Sequence, residues 1–131
     1  MDIKKTLREK AKEASANAYS PYSKALVGSA IEMSDGSIYS GCNIENASYG
    51  GTICAERVAI LKAVSEKKMQ IKKVYVYTKE GWPPCGMCRQ VMSEFASPDM
   101  EVIIGNVEGK ETSMKFKDLM PLSFTPEHLK K

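Results

Sequence analysis

The amino-acid sequence predicts an α/β fold, a three-layer α-β-α sandwich around a mixed five-stranded sheet. Two observations support this prediction. From residue 52 onwards, strand-like segments alternate with segments of helical periodicity, which is typical of neighbouring parallel strands. Before them, two apolar segments are separated by Ser34-Asp35-Gly36-Ser37, a turn signal that predicts an antiparallel hairpin. Together the patterns indicate one mixed sheet with helices on both faces.

The first half of the chain is predicted to contain one helix and one hairpin. Residues 2–18 carry apolar side chains near helical spacing, and the helix ends before Pro21, which lacks a backbone donor. Residues 25–33 and 38–43 are the two predicted hairpin strands. Residues 44–51 are polar and end in two glycines, so we expect a loop there.

The second half of the chain is predicted to alternate between helices and strands. Its β-branched and aromatic runs indicate strands, and its periodic segments indicate helices. The predicted elements are a helix over 52–66, a strand over 74–78, a loop over 80–84, a helix over 86–95, and strands over 102–104 and 112–116. Pro121 and Pro126 interrupt a tail in which we expect one or two short helices.

Composition bounds the class of protein. The chain has 131 residues, 43% hydrophobic and 27% charged, so we expect a single globular domain over residues 1–131. No apolar run approaches the roughly 20 residues that a bilayer requires, and the charged start Met1-Asp2-Ile3-Lys4-Lys5 lacks a signal-peptide core. We therefore expect a cytoplasmic protein with no membrane partner and with reduced cysteines. The net charge of +3 is spread along the chain, which argues against a nucleic-acid partner.

Two short segments carry the predicted chemistry: Cys54-Ala55-Glu56 and Pro84-Cys85-Gly86-Met87-Cys88. Each begins a predicted helix. The three cysteines, Cys54, Cys85 and Cys88, are the candidate ligands of a zinc ion, and three ligands leave a fourth position for water, as in catalytic sites. Glu56 is not needed as a ligand. It is the candidate catalytic residue, because a carboxylate beside an activated water can move protons.

The predicted helix starts affect the electrostatics of this site. Three thiolates would give Zn²⁺ a net negative charge and weaken it as a Lewis acid. Two helix N-termini, each equivalent to roughly half a positive charge, would offset that charge. Arg57 and Arg89 each follow a motif directly, so we expect both to donate hydrogen bonds to the sulfur atoms. This compensation would lower the pKa of the activated water towards ~7.

Other interpretations remain open on these motifs alone. A lone C-x-x-C preceded by Trp82 faintly resembles a thioredoxin-like thiol oxidoreductase, although that site requires neither Cys54 nor Glu56. A structural zinc module that binds a partner would need a fourth ligand, for which Cys42 is the only spare cysteine. Cys42 alone is expected to be a small core residue. The single histidine, His128, receives no role.

Longer stretches around the motifs resemble one family. They are Tyr19-Ser20-Pro21-Tyr22-Ser23-Lys24, Gly41-Cys42-Asn43-Ile44-Glu45-Asn46-Ala47-Ser48-Tyr49, Ile53-Cys54-Ala55-Glu56-Arg57 and Pro84-Cys85-Gly86-Met87-Cys88-Arg89-Gln90-Val91. From about Tyr19 to Leu129 the chain resembles cytidine deaminases of the short, homotetrameric, three-cysteine zinc type. The resemblance implies hydrolytic deamination of cytidine and deoxycytidine to uridine and deoxyuridine plus ammonia, in pyrimidine salvage.

The resemblance also implies roles for the motif residues. The three motif cysteines would bind one zinc ion per subunit. Glu56 would take a proton from the water, protonate N3 of the pyrimidine and later pass a proton to the departing amine. The backbone N–H groups near Ala55 and Cys85, with the carbonyl of Pro84, would hold the base.

Further residues match the family's nucleoside contacts. Asn43 and Glu45 correspond to the pair that binds the ribose hydroxyls, although both residue types also cap loops. Tyr49 and Phe124 correspond to aromatic residues near the sugar and base. In the family that Phe reaches the site of a neighbouring subunit, so the resemblance implies a homotetramer with sites at subunit interfaces. From the sequence alone, Phe124 is equally a tail residue that packs on the core.

One position departs from the family, which usually has Phe where this chain has Ala25. Losing an aromatic wall costs about 1–3 kcal/mol if nothing replaces it. We therefore expect a weaker KM for cytidine or a wider pocket, unless Trp82 fills the space.

Two related activities compete with this prediction. The runner-up is a blasticidin-S-type or modified-cytidine deaminase with the same zinc chemistry; Asn43 and Glu45 favour cytidine, because blasticidin S lacks an ordinary ribose. A polynucleotide deaminase is disfavoured, since the chain is short and has no clustered basic or aromatic platform.

Overall fold

One five-stranded mixed sheet forms the centre of the computed structural model, which describes residues 2–130. Met1 and Lys131, which end the predicted domain, lie outside the described residues. The strand order is β2-β1-β3-β4-β5, with β1 Gly28–Met33, β2 Ile38–Cys42, β3 Ile71–Tyr77, β4 Ala96–Gly105 and β5 Glu111–Lys115. β3 and β4 are parallel, whereas the other neighbouring pairs, including the predicted β1–β2 hairpin, are antiparallel. The predicted mixed sheet is confirmed.

Helices cover both faces of this sheet. They are α1 Ile3–Ser15, α2 Ala55–Ser65, α3 Gly86–Phe95 and the short α4 Phe116–Leu119, followed by a 3₁₀ turn at Pro126–Leu129. Alternate residues of β3 point to opposite faces, as the strand period requires. Tyr75 and Tyr77 pack with Leu7 of α1, and Val74 and Val76 pack in the core that includes α2 and α3. The structure is therefore the predicted three-layer sandwich.

The position of α2 depends on a close approach to β2. A Cβ atom on Gly41 would lie 2.7 Å from the backbone nitrogen of Ala59 and 2.8 Å from the carbonyl oxygen of Ala55. No side chain fits there, so glycine lets the first turns of α2 lie directly against the sheet. This contact fixes the N-terminus of α2 beside the ends of β1 and β3.

Several element boundaries differ from the prediction. β1 begins at Gly28 rather than at residue 25, because residues 25–27 bond to the Asn43 side chain instead of pairing in a ladder. β4 begins at Ala96, six residues before the predicted start at 102, since Ala96 already pairs with Ile71 of β3. Most residues between these positions are polar and do not follow a strand pattern, so the sequence did not indicate where the strand begins. α3 has the bounds that were predicted.

Candidate active site

The three motif cysteines meet where α2 and α3 begin. Cys54 is the N-cap residue of α2 and Cys85 is the N-cap residue of α3, both with extended backbone, and Cys88 lies one turn into α3. Their sulfur atoms all lie within 4.8 Å of one another. Two helix N-termini, each with its positive end of the helix dipole, therefore face one cluster of thiol groups.

The cluster has the dimensions of a tetrahedral zinc site. Ligands at ~2.3 Å from zinc in a tetrahedron lie ~3.8 Å from each other, and the sulfur atoms of Cys54 and Cys85 are 3.8 Å apart. Three soft thiolates with one open position suit Zn²⁺. Cys42 lies on β2 and is absent from this cluster, so the described residues supply no fourth cysteine ligand.

Arg57 donates a hydrogen bond to a sulfur atom of the cluster, which is the expected contact, and its electrostatic support of zinc-bound thiolates stays a prediction. Its Nη2 donates to the sulfur of Cys54 at 3.4 Å, and its Nη1 donates to the sulfur of Met87 at 3.1 Å. The hydrogen bond with Cys88, followed by that from Arg57, lowers the pKa of Cys54 despite its burial. The same contact with Cys54, together with burial, raises the pKa of Cys88. The contacts around Cys54 favour its thiolate, which is the form that metal ligation requires.

Glu56 is the buried acid beside the cluster. It lies in the first turn of α2 and is only 3% exposed. Burial first, and the nearby charge of Cys54 second, raise its pKa to about 7, against hydrogen bonds that lower it. A carboxyl group with a pKa near neutrality can both accept and donate a proton at working pH.

A cavity of about 240 Å³ opens onto these groups. The predicted residues that line it are Asn43, Glu45, Cys54, Ala55, Glu56 and Cys85. The structure therefore brings the predicted polar residues and two of the three sulfur-bearing residues to one cavity.

Asn43 and Glu45 also hold the 22–27 segment, of which Val27 lines the cavity. The Oδ1 atom of Asn43 accepts from the backbone N–H of Val27 at 3.0 Å, and its Nδ2 donates to the carbonyl of Ala25 at 3.0 Å. The Glu45 carboxylate accepts from the backbone N–H of Tyr22 at 3.0 Å and from the backbone and hydroxyl of Ser23. The hydrogen bonds from Ser23 chiefly lower the pKa of Glu45. Asn43 and Glu45 therefore each line the cavity and also form hydrogen bonds with the neighbouring loop.

Arg89 differs from its prediction. Its Nε donates to the carbonyl of Pro84 at 2.9 Å and its Nη1 to the carbonyl of Leu119 at 3.0 Å. No hydrogen bond joins it to a sulfur atom among the described residues. Carbonyl oxygens are stronger acceptors than sulfur, and two of them lie within its reach, so Arg89 ties the start of α3 to the tail. The predicted sulfur contact of Arg89 was wrong.

Three other predicted contacts lie away from the cavity. Pro84 is buried, and its neighbour Pro83 lines the cavity instead. Tyr49 is 74% exposed and meets the ring of Tyr22 edge-on, with centroids 5.8 Å apart. Phe124 is 54% exposed and stacks on His128 at 5.4 Å. Within one chain, neither aromatic residue lines the cavity.

Sequence reasoning missed five residues of the cavity wall, namely Val27, Thr52, Val76, Thr78 and Pro83. Val76 and Thr78 are two residues apart at the carboxyl end of β3, so strand alternation places them on the same side. Sites in α/β folds lie at such strand ends, and this signal was available in the sequence.

Comparison with known proteins gives one consistent result. The family model described as the cytidine and deoxycytidylate deaminase zinc-binding region matches residues 1–105. A cytidine deaminase from Halalkalibacterium halodurans is 45% identical over 131 residues, which cover 98% of each chain. The crystal structure of cytidine deaminase from Burkholderia pseudomallei superposes with a TM-score of 0.87 at 40% identity, covering 92% of this chain and 98% of that one.

A more distant relative bears on the runner-up. A blasticidin-S deaminase from Bacillus cereus is 35% identical over 112 residues, which cover 78% of this chain and 79% of that protein. The match is shorter and less identical than that to the cytidine deaminase from Halalkalibacterium halodurans. The three clustered sulfurs fit the zinc-binding region of the matched family. The chain belongs to the cytidine deaminase family.

Proposed function

We propose that this protein catalyses the hydrolytic deamination of cytidine and deoxycytidine to uridine and deoxyuridine plus ammonia. The observation that carries the proposal is the three-sulfur cluster at two helix N-termini, with the buried Glu56 beside it on one cavity of about 240 Å³. When bound by Cys54, Cys85 and Cys88, zinc would lower the pKa of a water molecule and so supply the nucleophile for C4 of the base.

Glu56 is the residue that moves protons in this proposal. It accepts a proton from the attacking water and delivers it to N3 of the pyrimidine. As the bond between C4 and the amine breaks, a second proton passes through Glu56 to the leaving nitrogen, so cytidine and water give uridine and ammonia. A pKa of about 7 suits both directions of transfer.

The remaining contacts position the nucleoside. The Ala55 N–H lies at the N-terminus of α2 and lines the cavity, where it can donate to the base. Asn43 and Glu45 are proposed to bind the ribose hydroxyls with the hydrogen-bonding capacity that the 22–27 segment leaves free. Both acceptor sites of Glu45 Oε1 are used by backbone N–H groups, whereas among the described residues Oε2 accepts only from the Ser23 hydroxyl and keeps one site for a ribose hydroxyl.

The second candidate is a blasticidin-S-type or modified-cytidine deaminase. The more distant relative of that name favours it, and the zinc chemistry would be the same. Asn43 and Glu45 at the cavity favour a nucleoside with an ordinary ribose. Ammonia release from cytidine, deoxycytidine and blasticidin S by the zinc-loaded protein tests the choice: preference for blasticidin S would overturn the first proposal.

We further propose a homotetramer that works in cytoplasmic pyrimidine salvage. Tyr49 and Phe124 are exposed in the single chain, which fits aromatic residues that complete a neighbouring subunit's site. All four cysteines are free, which fits a reducing compartment. No helix among the described residues has the length and apolar character to span a membrane. Sedimentation equilibrium of the zinc-loaded chain tests the assembly, and a monomer would contradict it.

A further inference from the structure

Two cavities meet at Trp82. One is the cavity of about 240 Å³ that faces Glu56 and the cysteines. The other, of about 220 Å³, lies beside Ala25 and is also lined by Lys24 and Glu80. Trp82 and Thr78 line both, so these two residues form the partition between the cavities.

The backbone of Trp82 is fixed although its side chain is half exposed. The hydroxyl oxygen of Thr78, which is 2% exposed, accepts from the N–H of Gly81 at 2.8 Å and of Trp82 at 2.7 Å. Gly81 has φ +86°, a conformation that favours glycine, and Pro83 follows the tryptophan. These restraints fix the backbone of Trp82 between the two cavities.

Ala25 lines the second cavity with a side chain that is only a methyl group. The backbone around Ala25 is held by Asn43, which bonds to the carbonyl of Ala25 and to the N–H of Val27. Ala25 therefore cannot drift inward to fill the space, and its side chain is too short to do so. The second cavity stays open because of this small residue.

The proposed reaction defines how the base lies against this partition. C4 must face the sulfur cluster and N3 must face Glu56 on α2. C5 is the ring atom on the other side of C4, so it faces the segment before α3, where Trp82 and Pro83 line the cavity. A substituent at C5 would extend towards the indole, and beyond the indole lies the cavity beside Ala25.

We infer that Trp82 is a specificity-determining residue that limits the size of the group at C5 of the base. This inference rests on the proposed function and adds which 5-substituted bases the site accepts. Removing the indole joins the two cavities and admits cytosine nucleosides with bulky 5-substituents. Trp82 itself transfers no proton and donates no electron pair to the reacting atoms.

The test compares cytidine with its 5-bromo derivative in variants of the zinc-loaded protein. Trp82→Ala should raise the ratio of kcat/KM for the brominated nucleoside to kcat/KM for cytidine by about tenfold or more, the usual value of one small group in a pocket. Adding Ala25→Phe to that variant should bring the ratio back towards the wild-type value, because the new ring fills the joined space. Bromine also changes the reactivity of the base, but this effect is common to all variants and cancels in the comparison.

The outcomes separate the two proposals. A ratio unchanged in Trp82→Ala would overturn the inference while cytidine is still deaminated. Failure of the zinc-loaded wild type to deaminate cytidine would overturn the proposed function, and the inference with it. Should the alanine variant lose zinc, Trp82→Val carries the same comparison.

A second readout is independent of turnover. The chain has a single tryptophan, so its fluorescence reports on Trp82 alone. Titration of the zinc-loaded wild type with uridine, the proposed product, should change the intensity or wavelength of this emission to saturation. Emission that stays constant while uridine inhibits deamination would contradict a position of Trp82 at the nucleoside cavity.

Discussion

The Arg8–Tyr75–Glu111 network on the face of α1 and the thiol–acid cluster on the face of α2 and α3 use polar groups in opposite ways. On the face of α1, Arg8 donates to the Tyr75 hydroxyl at 2.9 Å and to the Asn106 carbonyl at 2.8 Å, and the Tyr75 hydroxyl donates to Glu111. Each of these groups has a complementary partner. On the other face, thiols and an acid share one cavity wall, and the buried Nε of Arg57 has no hydrogen-bond partner among the described residues.

This difference indicates that the first group of residues stabilises the fold, whereas the second group is suited to catalysis. A network whose members are all paired stabilises and orients the elements that it joins, here α1, β3 and β5. A cluster of buried groups with shifted pKa values and incomplete pairing, facing a cavity, is typical of a catalytic site. Substitutions on the α1 face should therefore change unfolding, and substitutions on the α2 and α3 face should change metal binding and turnover.

The largest effect is expected for Glu56→Gln. Glutamine keeps the shape of the side chain but cannot transfer the proton, so kcat should fall by about 10²–10⁴-fold. Zinc content and the thermal midpoint should stay near wild type, because Glu56 is not a proposed ligand. Steady-state kinetics with metal analysis checks this. Loss of zinc together with activity would place Glu56 on the metal instead.

Arg57→Gln should have the next largest effect on the site. Without the guanidinium, the sulfur of Cys54 loses a charged donor, and zinc affinity should fall by about 10–100-fold. Competition with a chelator measures the affinity. Arg89→Gln is the matched control, because Arg89 bonds to carbonyls. Equal zinc loss in both variants would contradict the assignment of Arg57.

Tyr75→Phe tests the opposite face. The substitution leaves Arg8 and Glu111 without the hydroxyl between them, so the free energy of unfolding should fall by about 1–3 kcal/mol. The kcat for cytidine should stay unchanged. Urea unfolding and kinetics on the same samples check the pair of results, and a large fall in kcat would show that the two faces are coupled.

The raised pKa of Tyr75 predicts that the free energy of unfolding depends on pH. Burial first, and the hydrogen bond to Glu111 second, raise the pKa of Tyr75 to about 12, whereas an unfolded tyrosine titrates near ~10. Between these values the folded chain keeps a proton that the unfolded chain has lost. The stabilisation of the folded chain by Tyr75 is therefore complete below pH ~10 and is lost as the pH rises towards 12. Wild type should lose more stability than Tyr75→Phe across this window; parallel losses would contradict the assignment.

The smallest effect is expected for Met87→Leu. Leucine has a similar volume but no sulfur acceptor, so the guanidinium of Arg57 loses its contact at 3.1 Å. The contact is weak and Met87 is 63% exposed, so zinc affinity should fall by only about two- to threefold. A decrease as large as that of Arg57→Gln would show that Met87, and not Cys54, is the main partner of Arg57.

The sequence was sufficient for the fold class and the metal-proximal residues because their signals are local. The two cysteine motifs begin helices, and α3 has its predicted bounds since Pro84 and the following glycine mark its start. The start of β4 was missed, because Ser97, Pro98 and Asp99 indicate a loop until pairing with β3 is known.

Contacts between distant segments could not be predicted. Arg89 reaches Leu119, thirty residues away, and Arg8 reaches Tyr75, sixty-seven residues away. No periodicity or motif encodes these pairs, because the folded sheet brings them together. For the same reason, the dual use of Asn43 and Glu45 as loop anchors and cavity walls emerged only from the structure.

The most direct test of the central claim is the loss of the cytosine absorbance band when purified protein meets cytidine. Zinc content must be measured in the same samples, with Glu56→Gln beside the wild type. We predict that the zinc-loaded wild type removes the band and that the equally loaded variant does not. An inactive wild type with full zinc, or a variant as active as wild type, would contradict the assignment of the α2 and α3 face as a deaminase site.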